Sequence, residues 1–308
     1  MTNLRYLVTG ASGFLGSRLC DRLLAEGAEV HATSRSARGS RGAIHWWQSD
    51  LTEHALVQSL FDTIRPDVVI HLAGQVTAAP DLQLVLPAFQ SLLMSTLNVL
   101  VSGTVTGCKR ILAVGSMTEP AIDELEPTPS SPYAAAKWSA SAAARMFHSL
   151  YRTPVVVVRP FVTYGPGQHE AKIVPYVINS LLQGRSPSLS SGSWSADMVY
   201  VDDVVDGFIA AATRSGIDGA DIDLGSGQLT PIKELVDAIV RLTNASIEPH
   251  YGVLPDRPRE QIRVAHTAHA KAVLDWTATT SLDDGLAETI RWHRDQFARN
   301  GQFVLQAT

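Results

Sequence analysis

Three glycines near the N-terminus, in Gly10-Ala-Ser-Gly13-Phe-Leu-Gly16, restrict the fold more than any other feature of the chain. They follow a short β-rich run, Leu4-Arg-Tyr-Leu-Val-Thr9, and precede residues 17–26, whose apolar positions recur at helical spacing up to Gly27. Strand, glycine turn and helix in that order are what a dinucleotide-binding turn needs. Gly10 permits the tight turn, Gly13 lets the backbone approach a pyrophosphate, and Gly16 allows close helix–strand packing. Ser12, Phe14 and Leu15 share the turn and join the expected contacts. The spacing is G-x-x-G-x-x-G rather than G-x-G-x-x-G, and the bland alternative is an ordinary glycine-rich loop.

The pattern then repeats. Residues 29–35 form a second strand, 53–63 a helix, and Pro66-Asp-Val-Val-Ile-His-Leu72 a buried strand that opens into Ala73-Gly74-Gln75. An apolar helix over 87–103 leads to the strand Arg110-Ile-Leu-Ala-Val114, which ends in Gly115-Ser116-Met117-Thr118-Glu119. This alternation predicts an α/β fold with a doubly wound parallel, Rossmann-type sheet. Ligands bind such sheets at the carboxyl ends of the strands, where 10–16, Ser34, Ala73, Ser116 and the 161–165 loop all fall. The second strand ends in Ser34-Arg35, with Arg38 and Arg41 close behind, where an NAD site usually carries a carboxylate for the ribose 2′-hydroxyl. A hydroxyl and a guanidinium suit a 2′-phosphate, so NADP(H) is favoured over NAD(H). Incidental arginines on a solvated loop are the alternative.

Tyr133-Ala-Ala-Ala-Lys137 places a phenol and an ammonium on one helix face. A free tyrosine titrates near pH ~10, too high for proton exchange at neutrality, and a nearby ammonium favours the phenolate. Pro127, Pro129 and Pro132 before it and an Ala/Ser-rich run after it predict a loop feeding a helix over 133–151. Tyr-x-x-x-Lys alone is an ordinary helix-face pair, and Ser116 alone is an ordinary strand-end serine.

At 308 residues the chain suggests one large domain and a smaller lobe. The expected division is a dinucleotide-binding domain over 1–166, rejoined by about 196–225, with 167–195 and 226–308 forming a substrate-binding lobe. A formal charge of −5, with Lys and Arg scattered, argues against a nucleic-acid partner. No uninterrupted apolar run approaches ~18 residues, so no membrane partner is expected. Two cysteines without metal spacing suit a reducing compartment, and a cytoplasmic protein is expected. The ten histidines show no ligand spacing, so no metal is assigned.

Over nearly its full length the chain resembles the extended short-chain dehydrogenases/reductases, in the branch acting on nucleotide sugars. The residues that carry the resemblance are Thr9-Gly10-x-x-Gly13-x-x-Gly16, Asp50-Leu51, His71-Leu72-Ala73-Gly74, Ser116, Tyr133-x-x-x-Lys137, Arg159-Pro-Phe-Val-Thr-Tyr-Gly-Pro-Gly167 and Tyr200-Val-Asp-Asp203. The resemblance implies that Asp50 binds the adenine edge, with a helix cap as its plainer role, and that Leu51, Leu72, Ala73 and Gly74 line the cofactor. Phe161 and Val162 would lie beside the nicotinamide. Tyr133 would exchange a proton with the substrate oxygen while hydride crosses to or from the cofactor. Lys137 would depress the tyrosine pKa and hold the ribose, and Ser116 would bond the same oxygen, with Thr118 the fallback. Gln75, Thr118, Tyr164 and Arg257 would contact a nucleotide sugar, Arg257 through its diphosphate unless its loop is simply surface charge.

The chain departs from the family pattern at three places. Pro120-Ala121 stands where many members have Tyr-Gly, and Ser91 where many have asparagine. The sugar 4,6-dehydratases carry Thr-Asp-Glu at the serine loop, and here Met117-Thr118-Glu119 offers at most one acid. The leading expectation is an NADPH-dependent 4-ketoreductase of a nucleotide-activated (deoxy)sugar. A 4-epimerase follows, then a 4,6-dehydratase, and outside enzymes an NADP-sensing binding protein. The resemblance also implies a homodimer, in which the helices over 87–103 and 133–151 would meet their mates in a four-helix bundle.

Overall fold

Five residues with an almost fully buried pattern, Arg5–Thr9, form β1, flanked by β2 (Glu29–Ser34) and β4 (Val68–His71), both parallel to it. The description covers residues 4–39, 42–120, 127–256 and 261–299 of a computed structural model. With β3 (His45–Gln48), β5 (Arg110–Val114), β6 (Val155–Pro160) and β9 (Asp221–Leu224), these strands make a parallel sheet of order β3-β2-β1-β4-β5-β6-β9. Strand order reverses between β1 and β4, the place where such sheets open a ligand crevice. The sheet lies in a unit made of Met1–Pro160, Val205–Leu224 and Ala268–Trp276.

Helices cover the sheet because each presents one apolar stripe. In α1 (Phe14–Ala25) the buried positions are Gly16, Leu19, Cys20 and Leu23. In α2 (His54–Ile64) they are Val57, Leu60, Phe61 and Ile64, which meet Leu7, Val69, Ile111 and Val157 of the strands. The helix expected over 87–103 is longer: a 3-10 turn (Leu82–Leu84), α3 (Val85–Ala88), a π-helical segment (Phe89–Met94) and α4 (Ser95–Thr106) run on without a break. Asp81 starts it by accepting the Gln83 amide at 2.9 Å. At the π segment the Ser95 and Thr96 hydroxyls donate back to the carbonyls of Ser91 (2.7 Å) and Leu92 (2.6 Å). Among the described residues this stretch alone is long and apolar enough, at mean hydropathy 1.7, to cross a membrane, and 39% of its most apolar window is buried. Gln90, Ser91, Ser95, Thr96 and Asn98 interrupt it, which is why no single apolar run stands out in sequence. Beside it lies α5 (Pro132–Tyr151). The greater parts of α7 (Val201–Thr213) and α9 (Thr267–Leu274) complete the unit.

The second unit, Phe161–Val204, Gly225–Thr267 and Thr277–Thr308, holds a three-stranded sheet. In it β8 (Ser195–Tyr200) runs parallel to β7 (Val162–Tyr164) and antiparallel to β10 (Leu229–Pro231). The helices α6 (Ile173–Leu182), α8 (Ile232–Thr243) and α10 (Leu282–Arg299) pack with one another beside it. Asp197 of β8 is fully buried and accepts from Ser226 N and Oγ (2.7 Å each), Gly227 N (3.0 Å) and Ala265 N (3.0 Å), which satisfies its charge. One expectation changes here. Residues 196–204 do not rejoin the first unit, because β8 is committed to β7 and β10, and the chain returns at Val205.

Candidate active site

The glycine turn has the shape a dinucleotide requires. Gly10 sits at φ +66°, and a Cβ there would fall 2.7 Å from Ala73 N at the end of β4. At Gly16 a Cβ would fall 2.3 Å from Gly10 O, so only glycine lets α1 close onto the turn. Gly13 is the N-cap of α1; it brings no side-chain cap, and the first helical turn holds no acid. The Gly13 amide closes the turn onto Gly10 O (3.0 Å), and no side chain among the described residues caps the positive end of α1, a cradle that fits a pyrophosphate.

Beneath the turn lies a directed chain of hydrogen bonds. The Ala73 amide donates to Thr9 Oγ1 (3.2 Å), whose hydroxyl donates to His71 Nδ1 (2.8 Å). The other ring nitrogen, Nε2, then donates to Ser95 Oγ (3.3 Å), and that hydroxyl donates to Ser91 O (2.7 Å). This assignment fixes His71 as the neutral Nε2-protonated tautomer. Burial, with the Lys137 charge adding, pushes its pKa down to about 3. Burial pushes His293, in the second unit, down to about 4. Both fold neutral but take up protons near pH 6.5 when unfolded. Their stabilisation is complete above that pH and drains as the pH falls toward their folded values. For His71 the loss is about 2 kcal/mol at pH 5. Denaturant midpoints at pH 7.5 and pH 5 should show it. His71→Asn should be less stable at pH 7.5 and lose less on acidification; an equal loss would contradict the assignment.

At the end of β2, Ser34 Oγ accepts from Ser36 N (3.3 Å) and Arg38 Nε (3.4 Å). Arg35 and Arg38 are exposed, the Arg38 guanidinium lying 5.4 Å from the centre of the Trp46 ring. Arg41 lies outside the described residues. Asp50 accepts from Thr52 N (2.9 Å) and Oγ1 (2.8 Å), and these bonds, with the Arg35 charge, hold its carboxyl below the usual range. It is not the cap of α2, a position that falls on Glu53. The Leu51 carbonyl accepts from Asn98 Nδ2 at 2.9 Å. Leu72 and Ala73 are half-buried, and Gly74 and Gln75 are exposed at the end of β4.

Ser131 caps α5 by accepting the Ala134 amide (3.2 Å), and Pro132 occupies the first turn, so Tyr133 and Lys137 emerge at the start of a rigid helix. Ser116 Oγ bonds Thr118 Oγ1 (2.9 Å) and accepts the Thr118 amide (3.2 Å), and it lies close enough to Tyr133 to favour the ionised phenol. Serine, tyrosine and lysine thus converge, with the fallback Thr118 beside them. One expectation is not met: the Tyr133 pKa is raised rather than depressed. Burial is the main cause and the Glu119 charge adds to it, with Ser116 opposing. Lys137, pushed down to about 8 by burial, donates its ammonium to Val114 O at 2.6 Å. Glu119 is only 2% exposed, and its Oε1 accepts from Ser116 N (2.7 Å) and Ser141 Oγ (2.9 Å). Enclosed in this way, it is not placed to act as an elimination acid. Sequence reasoning did not anticipate this clamp or the His71 chain, although Thr9, His71 and Glu119 all lie in the motifs.

The remaining expected residues belong to the second unit. Phe161 is buried there with the Arg263 guanidinium 6.0 Å from its ring centre, and Val162 begins β7. Tyr164, expected to touch substrate, is 2% exposed and donates its hydroxyl to Leu282 O at 3.3 Å. Its ring meets Tyr200 edge-on, so its side chain is a strut of that unit. Arg257 lies outside the described residues.

Residues 6–225 match the NAD dependent epimerase/dehydratase family. Among curated proteins, the UDP-glucose 4-epimerase of Mycolicibacterium smegmatis is 30% identical over 318 aligned residues, covering 95% of this chain and 99% of that protein. Among solved structures, the UDP-glucose 4-epimerase of Thermotoga maritima with UDP-glucose superposes with a TM-score of 0.88 at 25% identity, over 96% of this chain and 100% of that one. MoeE5 in complex with UDP-glucose and NAD superposes with a TM-score of 0.86 at 27% identity, over 95% and 99%.

Proposed function

Because the chain belongs to the NAD dependent epimerase/dehydratase family, within the extended short-chain dehydrogenases/reductases, we propose that it is a nucleotide-sugar 4-epimerase. The observation that carries this reading is the 30% identity to a UDP-glucose 4-epimerase along 95% of this chain. The site supports it: with a dinucleotide to take the hydride, Ser116, Tyr133 and Lys137 would serve reversible oxidation at a sugar hydroxyl, and Glu119 is engaged elsewhere. This reverses the order expected from sequence, where ketoreduction came first.

The turn over 10–16 and the open end of α1 would hold the dinucleotide pyrophosphate, and Asp50 and Ala73 its adenosine side. When bound, the dinucleotide supplies the hydride acceptor and donor. Tyr133 takes the proton of the substrate 4-hydroxyl and later returns it to the same oxygen. Ser116 holds that oxygen by a hydrogen bond, and the Lys137 ammonium stabilises negative charge on the phenol. The test is to incubate the protein with UDP-glucose and follow the sugar by NMR. Equilibration with UDP-galactose, without net use of cofactor, is expected. The second reading, ketoreduction, is favoured by Ser34-Arg35 in place of a carboxylate at the end of β2. It would be supported instead if UDP-glucose stayed unchanged while a 4-keto-6-deoxy nucleotide sugar consumed NADPH.

The same residues support a preference for the 2′-phosphorylated cofactor. Arg35→Ala should weaken NADPH binding by roughly ten- to a hundredfold, the worth of a charge-assisted contact, and leave NADH nearly unchanged. Equal losses in calorimetric titration would contradict it.

A homodimer is also proposed. Leu82, Leu86, Met94 and Val105 along the 82–106 stretch, and Met146, Leu150 and Tyr151 on α5, are exposed large apolar side chains. Two neighbouring helices with such faces favour burial against a second copy. Sedimentation at micromolar concentration should give a dimer, and Leu86→Glu with Leu150→Glu should give a monomer. A wild-type monomer would count against it.

A further inference from the structure

One buried charge that acts on Tyr133, that of Glu119, belongs to a group the reaction does not use. We propose that Glu119 is a positioning residue: a buried carboxylate that ties the Ser116 backbone to the helix bearing Tyr133 and Lys137 and supplies the negative charge those two groups face. Its Oε1 joins Ser116 N at the end of β5 to Ser141 Oγ, one turn beyond Lys137 on α5. Its Oε2 lies 3.9 Å from Arg159 Nη1 on β6, so three elements meet at one side chain. A Cβ on residue 115 would fall 2.5 Å from Oε1, and glycine there leaves the carboxylate its room.

A buried carboxylate is costly unless hydrogen-bonded and opposed by a cation, and both conditions hold here. The cation facing it is Arg159 on β6, held in turn by Asp221 (3.1 Å) and Asp223 (2.9 Å) on β9, and Asp221 also holds Arg145 of α5 (2.9 Å). On α5 the titratable neighbours are Tyr133 and Lys137, and His71 on β4 feels the Lys137 charge. Burial raises the Glu119 pKa, while Arg159, Ser116, Ser141 and Lys137 oppose the rise. Its negative charge favours the protonated form of both partners: it helps keep Lys137 an ammonium and Tyr133 a phenol.

The inference rests on the Ser116-Tyr133-Lys137 reading, and the test separates the two. Glu119→Gln keeps an acceptor for Ser116 and Ser141 but removes the charge. Both limbs of the pH–kcat profile should move to lower pH, by on the order of one unit for a charge several ångströms away. Ser141→Ala, which loses one bond and keeps the charge, should leave the limbs in place. Tyrosinate absorbance, with Tyr133→Phe as the blank, reads the same shift without substrate. An absence of turnover in the wild type would defeat the functional reading and still leave Glu119 testable. If Glu119→Gln does not fold, Glu119→Met, of similar length and also uncharged, is read instead, and both titrations should again move to lower pH. Titrations that stay fixed in the variant that folds overturn the proposal.

Discussion

Tyr133→Phe is expected to lower kcat by roughly 10²- to 10⁴-fold, the usual contribution of a positioned proton donor and acceptor, with little change in cofactor affinity. In the proposed reaction this hydroxyl exchanges a proton with the substrate oxygen, and its effect would be largest in the transition state. In the fold it lies close to Ser116, so its removal should cost only about 1 kcal/mol of stability. The raised Tyr133 pKa sets the direction of the pH dependence: a phenol that resists ionisation makes proton removal from substrate the demanding half, and activity should rise with pH until Lys137, at about 8, loses its charge. Steady-state rates with dinucleotide titrations on both proteins check this. An unchanged kcat would remove Tyr133 from the chemistry.

Gly16→Ala should disable the cofactor site from beneath. The added Cβ would meet Gly10 O at 2.3 Å and Ala11 Cα at 2.7 Å, both backbone, so no rotamer can relieve the contact. Either α1 retreats or the turn opens, at about 1–3 kcal/mol, and both movements displace the amides of the pyrophosphate cradle. Taken wholly out of binding, that is roughly a ten- to hundredfold rise in Kd for the dinucleotide. Calorimetry checks it, with thermal unfolding to apportion the loss. Unchanged affinity would mean that the turn does not hold the pyrophosphate.

What the sequence reveals divides along physical lines. The glycine turn was legible because a backbone at positive φ, and a helix packed against a carbonyl, leave few residue choices at 10 and 16. Tyr133 and Lys137 were legible because four-residue spacing on a helix with a proline start is a local rule. Strand β3 escaped, since His45-Trp46-Trp47-Gln48 is a short edge segment that pairs with β2 alone in the sheet. The membership of β8 escaped for a similar reason. Met198-Val-Tyr reads as a buried strand anywhere, and its partners β7 and β10 lie far apart in sequence. Tyr164 was misassigned because a tyrosine in a loop motif looks like a ligand contact, and only the fold shows its hydroxyl bonded to Leu282 O. The electrostatic sign at Tyr133 was illegible too. Spacing places an ammonium nearby, but desolvation of the phenol and the Val114 carbonyl on Lys137 depend on the packed site.

The central claim is that one sugar loses and regains the same hydride while Tyr133 handles its proton. UDP-glucose deuterated at C4 tests it most directly, with unlabelled cofactor in excess and the product read by NMR and mass. The account expects UDP-galactose that keeps its deuterium at C4, with none appearing in the pool of reduced cofactor. Deuterium lost to the pool or to solvent, or no conversion of the sugar beside consumption of NADPH by a keto-sugar, would contradict it.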